Sequence, residues 1–244
     1  MSNPYTYDNS ALQQLFSLIL QEHIQPDAWT WLSKQGDIGN TAAFNAAFVM
    51  MPRKTGKEPM SIPPERSRQL DIIRPEFSIK GWTAEHLGRV FLLIQADTND
   101  KDRYVKLIGD LFLAAEMNEL VALYSALPLL AYPELWAGRC AEGIRSNIGN
   151  VLEAIMYHNP YPAEQLASDA WNQLVMKAIF TEKQLKLIPG LEKRNNPELV
   201  RMLLDYARER GAAGRTVGSD LWQLAGQFAG PGVIADLKQE YQLN

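Results

Sequence analysis

The sequence predicts an all-α protein, a helical repeat of α-solenoid type or an irregular bundle of antiparallel helix pairs, on three observations. Apolar residues recur at helical spacing along most of the chain. Few segments alternate strictly between apolar and polar, and no Asn-Gly or Asp-Gly turn joins two alternating runs. The apolar stripes are separated by short connections, which favours neighbouring helices that pack as antiparallel pairs. No strict period is visible, so any repeats are degenerate.

The first expected helices are 10–24, 27–34, 41–51 and 83–95. The next, 102–115, has one stripe of Tyr104, Leu107, Ile108, Leu111, Phe112 and Ala115. Then come 118–127, 133–146, 148–157 and 168–180. Over 196–212 the stripe is Leu199, Met202, Leu203, Tyr206 and Ala207, with Pro197 where a first helical turn accepts it. The last two are 219–228 and 233–241. One stretch breaks the pattern: 52–81 contains Pro52, Pro59, Pro63, Pro64 and Pro75 and is expected as a long basic loop folded over a single domain, 1–244. At most a short helix is expected after Pro64.

Bulk composition narrows the function classes. The 244 residues are 46% hydrophobic and 21% charged, with formal net charge -4, so no broad attraction to nucleic acid is expected. One cysteine, Cys140, allows no intrachain disulfide and suits a reducing compartment. Residues 1–8 lack a basic-then-apolar signal pattern, and no apolar run approaches the roughly 20 residues that span a bilayer. A cytoplasmic protein is expected.

The usual chemical signatures are missing. His23, His86 and His158 are far apart, and no Cys-x-x-Cys or His-x-x-x-His occurs, so no metal is expected. Asp97-Thr98-Asn99 opens like a calcium loop but has Lys101 at a ligand position and lacks the required glycine. Arg53-Lys54-Thr55-Gly56-Lys57 contains Gly-Lys, yet Glu58 stands where a phosphate-binding loop needs Ser or Thr. Gly-x-Ser-x-Gly and a nucleotide-type glycine turn are absent, and no cofactor is expected.

Five features remain. Arg53, Lys54, Lys57, Arg66 and Arg68 outnumber Glu58 and Glu65, enough to hold a phosphate or meet anionic headgroups, although a solvated loop is the simpler reading. Lys177 lies in the apolar run 174–180 and must snorkel, pair with a carboxylate such as Asp205 or Glu153, or bind something. His158 closes a helix, where a cationic or hydrogen-bonding imidazole is expected. Glu198, Arg201, Asp205, Arg208 and Glu209 stand three or four apart, as on a salt-bridged exposed face. Finally, six Trp, nine Tyr and eight Phe could line an apolar groove; Trp29 and Trp31, two apart, cannot share a helix face.

Several blocks resemble the EboA family. They are Ala141-Glu142-Gly143-Ile144-Arg145-Ser146-Asn147, Asn159-Pro160-Tyr161-Pro162-Ala163, and the run from Ala170-Trp171-Asn172 through Lys177-Ala178. The longest starts at Gly190-Leu191-Glu192-Lys193-Arg194-Asn195-Asn196-Pro197 and continues through Asp205-Tyr206-Ala207-Arg208 to Ala213-Gly214-Arg215. Shorter matches are Pro52-Arg53-x-x-Gly56-Lys57, Gly81-Trp82 and Arg89 before Leu92-Leu93. The resemblance runs from Phe44 to Leu224. Glu192, Asn195, Arg208 and Gly211 stand where the family pattern leads one to expect Asp, Ala, His and Trp, so no role is carried to those positions.

The resemblance implies a component of a bacterial gene cluster that moves a small secondary-metabolite precursor out of the cytoplasm. It implies partners encoded in that cluster, including a membrane prenyltransferase-like protein, and places the chain in the cytoplasm or at the inner face of the membrane. Motif positions carry over as ligand-binding candidates: Arg53, Lys57, Lys177, Arg194 and Asp205. The expectation is a non-catalytic escort whose groove holds a small precursor, prenylated or anionic. Two alternatives stand beside it: an enzyme using Lys177 and a carboxylate on a phosphate- or sugar-like substrate, and a scaffold for the cluster's enzymes.

Overall fold

A computed structural model describes residues 4–241. Those residues form fourteen α-helices, three short 3-10 turns and no sheet; a single antiparallel bridge joins Pro59 and Thr83. The helices start where local chemistry dictates. Asp8, Asn40, Thr83, Asp100 and Asn196 each accept a hydrogen bond from a first-turn amide. Pro26, Pro64 and Pro197 fill first-turn positions where no amide hydrogen is needed.

The helices group into two compact units, Met1–Gln165 and Leu166–Asn244. In the first, α5 (Ala84–Gln95) is central. Both charged and apolar residues of it are buried, from Ala84 and Glu85 through Arg89 to Ile94, because neighbouring helices cover its polar strip as well as its apolar face. Against it pack α1 (Asn9–His23), α3 (Thr41–Thr55) and α7 (Met117–Ser125). Helix α2 (Pro26–Leu32) packs on α1 and α3, and α4 (Pro64–Ile73) on α1; α6 (Lys101–Ala114) precedes α7, and α9 (Gly149–Met156) packs on α7 and on α8 (Ala137–Arg145), with α10 (Tyr161–Gln165) beside both α8 and α9. Helix α8 approaches so closely that a Cβ on Gly143 would stand 2.5 Å from Ile155 Cδ1 and 2.6 Å from the Tyr124 ring. Buried Arg74, at the end of α4, forks onto the Glu164 carboxylate of α10 and donates from Nε to Pro128 O at 3.1 Å.

In the second unit α12 (Pro197–Ala212) touches α11 (Ser168–Phe180), α13 (Ser219–Ala225) and α14 (Pro231–Tyr241). Trp171, fully buried, is the largest core side chain there.

The twelve helices expected from periodicity are all present. The segment 52–81 needs correction, since it is not one long loop. Helix α3 continues through Pro52 as far as Thr55, and α4 is ten residues long. Arg53 and Lys54 therefore sit on a helical turn, and Arg66 and Arg68 on α4. A proline inside a helix removes the bond to the carbonyl four residues earlier and crowds it; here that carbonyl, of Phe48, accepts from Arg89 Nε at 3.0 Å instead.

Candidate functional site

The last turn of α3 and the first turn of α7 enclose a cleft of about 460 Å³. Arg53 and Lys57 stand on one side, and among the described residues neither side chain has a hydrogen-bond or ion-pair partner. Exposed Val49, Met50 and Met117 give it an aliphatic and thioether rim. Glu116, Asn118 and Glu119 line the other side, and Arg89 the floor. Lys54 points elsewhere, its Nζ 5.5 Å from the centre of the Trp31 ring.

The two carboxylates are already engaged. Glu116 and Glu119 form a capping box on α7: each side chain accepts from the other's backbone amide, Glu119 at 3.0 Å. Arg89 pairs with Glu85 on its own helix and faces Glu119, Nη2 to Oε1 3.8 Å. Burial pulls the Arg89 pKa below the ordinary arginine range, and Glu119 opposes that shift. The cleft thus presents two unpaired cations beside an apolar rim, with its acids satisfied by backbone and by Arg89. Such a surface attracts an anion that carries an apolar body.

The other three candidates belong to the second unit. Lys177 is half-buried on α11, and its backbone carbonyl takes both the Thr181 amide and hydroxyl. Arg194 donates to Leu166 O at 2.7 Å and stacks over Trp171 at 5.2 Å, fixing the chain that leads into α11. Asp205 is a link in the ladder Glu198–Arg201–Asp205–Arg208, at 2.6, 3.1 and 2.8 Å. The five candidates do not make one cluster within a unit: Arg53 and Lys57 share a cleft, and the remaining three stand on separate elements. A second cleft of about 330 Å³ in this unit is bordered by Tyr206 and Arg210, but Arg210 already donates from Nε and Nη2 to Thr216 O.

Two histidines are held neutral. His86 stacks on Trp82 at 3.9 Å with planes 5° apart, and burial pushes its pKa down to about 3. His158 follows α9 with φ 51°, its carbonyl accepting from Ser78 N. Burial and then nearby Lys80 lower its pKa, so the cationic form anticipated at that helix end is disfavoured. Among the described residues no three His, Cys, Asp or Glu side chains lie together as a metal site, and no helix is long and apolar enough to cross a membrane.

A sequence profile for the family described as metabolite traffic protein EboA matches residues 12–226. The chain belongs to the EboA family. No curated protein and no solved structure matches it. The match covers every element of the cleft, while α14 lies beyond it. Asn195 and Gly211 each have a local role. Buried Asn195 donates to Leu224 O at 2.8 Å and to Gln227 at 2.9 Å, tying the entry of α12 to α13. Gly211 leaves space for Tyr241: a Cβ there would lie 2.5 Å from the Tyr241 Cβ.

Arg89 is the cleft-lining residue that spacing alone did not single out. Its signal was an arginine in a largely apolar helix, four after Glu85 and downstream of a proline that leaves a carbonyl free.

Proposed function

We propose that this protein is a non-catalytic binding protein for metabolite traffic, whose α3–α7 cleft takes an amphipathic anion. The observation that carries this reading is the placement of unpaired Arg53 and Lys57 beside exposed Val49, Met50 and Met117. The cations hold a phosphate or carboxylate head, and the rim covers the start of an apolar, prenyl-like tail. Family membership supports a trafficking role. In this reading the cargo is a small secondary-metabolite precursor, carried in the cytoplasm toward the inner face of the membrane. There it passes to partners from the same gene cluster, a membrane prenyltransferase-like protein among them. The helical body serves as one domain for that purpose, with Lys177, Arg194 and Asp205 outside the head-group contact.

The test is a calorimetric titration with decyl phosphate below its micelle concentration. Arg53→Ala with Lys57→Ala is expected to weaken binding at least about tenfold, since one charge-assisted hydrogen bond contributes ~1.5 kcal/mol or more. Both side chains are exposed, so the unfolding midpoint should hold. Equal affinity in the folded double variant would remove the cleft from the mechanism. Native mass spectrometry of protein from its own cells would identify a retained cargo.

A further inference from the structure

Pro52 interrupts α3 one residue before the first cleft cation. It has no amide hydrogen, so the helix cannot close a bond to Phe48 O, four residues earlier. Arg89 makes that bond instead, from the neighbouring helix, with Nε donating at 3.0 Å. The same guanidinium lies over the Phe48 ring at 5.5 Å, pairs with Glu85 through Nη1 and faces Glu119 through Nη2. Its side chain is only 3% exposed, yet it forms part of the cleft wall. Beyond Pro52 the chain makes one more turn. Thr55 Oγ1 donates to Met51 O at 3.0 Å, Gly56 N donates to Pro52 O at 3.3 Å, and Gly56 turns off with φ 83° toward Lys57.

We infer that Arg89 is the positioning residue of this cleft: it supplies Phe48 with the donor that Pro52 lacks, and so sets the direction in which the last turn of α3 presents Arg53 and Lys57. The inference rests on the anion-binding reading above and deepens it by naming what orients the two cations. Three acceptors surround one side chain: a carbonyl at Nε and two carboxylates at the fork. A guanidinium offers donors in a fixed plane to all three. An ammonium on a flexible stem has no donor at the Nε position and cannot span them in that geometry. Pro52 and Arg89 therefore act as a matched pair.

The full chain is tested as Arg89→Lys, Pro52→Ala and the double variant. Hydrogen exchange is read at the amides of residues 53–56, and affinity is read for decyl phosphate. Arg89→Lys should speed exchange at 53–56 while amides in 44–50 keep their protection, and should weaken decyl phosphate about tenfold. Pro52→Ala restores an amide to pair with Phe48 O. The double variant should therefore regain protection at 53–56 and most of the lost affinity, a rescue that a general loss of stability would not produce. Unchanged exchange and affinity in Arg89→Lys, or no rescue in the double variant, would overturn the pairing. If the wild type itself ignores decyl phosphate, the anion-binding reading fails, and exchange at 53–56 still decides whether Arg89 holds the turn. If Arg89→Lys does not fold, Arg and Lys at 89 are compared in the Pro52→Ala background. Equal exchange at 53–56 is then expected, and a difference overturns the inference.

Discussion

Glu85 and Arg89 in the first unit, and Arg201 and Asp205 in the second, are the same kind of pair: opposite charges four residues apart on one helix. In the first, Arg89 is 3% exposed and Glu85 10%. In the second, the values are 62% and 45%. The difference comes from the remainder of each helix. Helix α5 is mostly apolar and packs against α1, α3 and α7, so the charges on its polar strip are covered by those neighbours and go inside with it. Helix α12 has one apolar stripe and leaves its charged face in water. Identical spacing thus has opposite weight: a buried charge must keep its partners, whereas an exposed one is stabilised by solvent anyway.

The sharpest way to break this comparison is Arg89→Ala. It strands the Glu85 and Glu119 carboxylates at about one-tenth exposure and leaves Phe48 O without its donor. A loss of about 3–5 kcal/mol is expected, of the size seen when one partner of a buried pair is removed. Urea unfolding monitored by circular dichroism measures it. A loss below about 1 kcal/mol would mean that water reaches the carboxylates through the cleft.

Much of this was legible in the chain itself. Helix positions followed from apolar spacing, and the start of α12 from Pro197, because those signals are local. The exposed face of α12 was legible too, since its four charges alternate in sign along one stripe. The cleft was not, although two of its cations were flagged by motif. Its geometry depends on α3 continuing through Pro52, and that depends on a donor 37 positions away in sequence, at Arg89. Spacing within one helix gives no sign of such a contact. The local surroundings of Arg194 were not legible for a similar reason: the carbonyl at Leu166 and the ring at Trp171 that it meets are both distant in sequence. The 3-10 turns Leu127–Leu129 and Leu185–Leu187 were missed because three residues carry no period.

Glycines sharpen the contrast between the units. Gly143 on α8 abuts Tyr124 and Ile155, both in the core of the first unit. Gly143→Ala should cost about 1–3 kcal/mol, because neither a packed ring nor a fully buried isoleucine can retreat. The atoms nearest a Cβ at Gly211 belong to Tyr241, at the end of α14. Gly211→Ala should instead lift α14 and leave α11 to α13 intact, seen as faster tryptic cleavage at Lys238 with little change in the main unfolding transition. If both substitutions lowered the main transition equally, α14 would be as integral to its unit as α8 is to the first.

The smallest effect belongs to Arg201→Ala. Arg201 grips Glu198 at 2.6 and 3.1 Å and Asp205 at 3.1 Å, and that contact holds the Glu198 carboxyl below its usual pKa. Drawn as distances, this pairing is stronger than that of Arg89 with Glu119. Yet removing Arg201 returns the exposed Glu198 carboxylate to water, leaves Asp205 paired with Arg208, and frees a long side chain from one geometry, so the lost attraction is largely offset. The unfolding midpoint should move by less than about 1 °C, and less still in 0.5 M salt, where exposed pairs are screened. A fall comparable to that of Arg89→Ala would show that burial does not set the weight of these pairs, and would put the α12 ladder under some cover other than water.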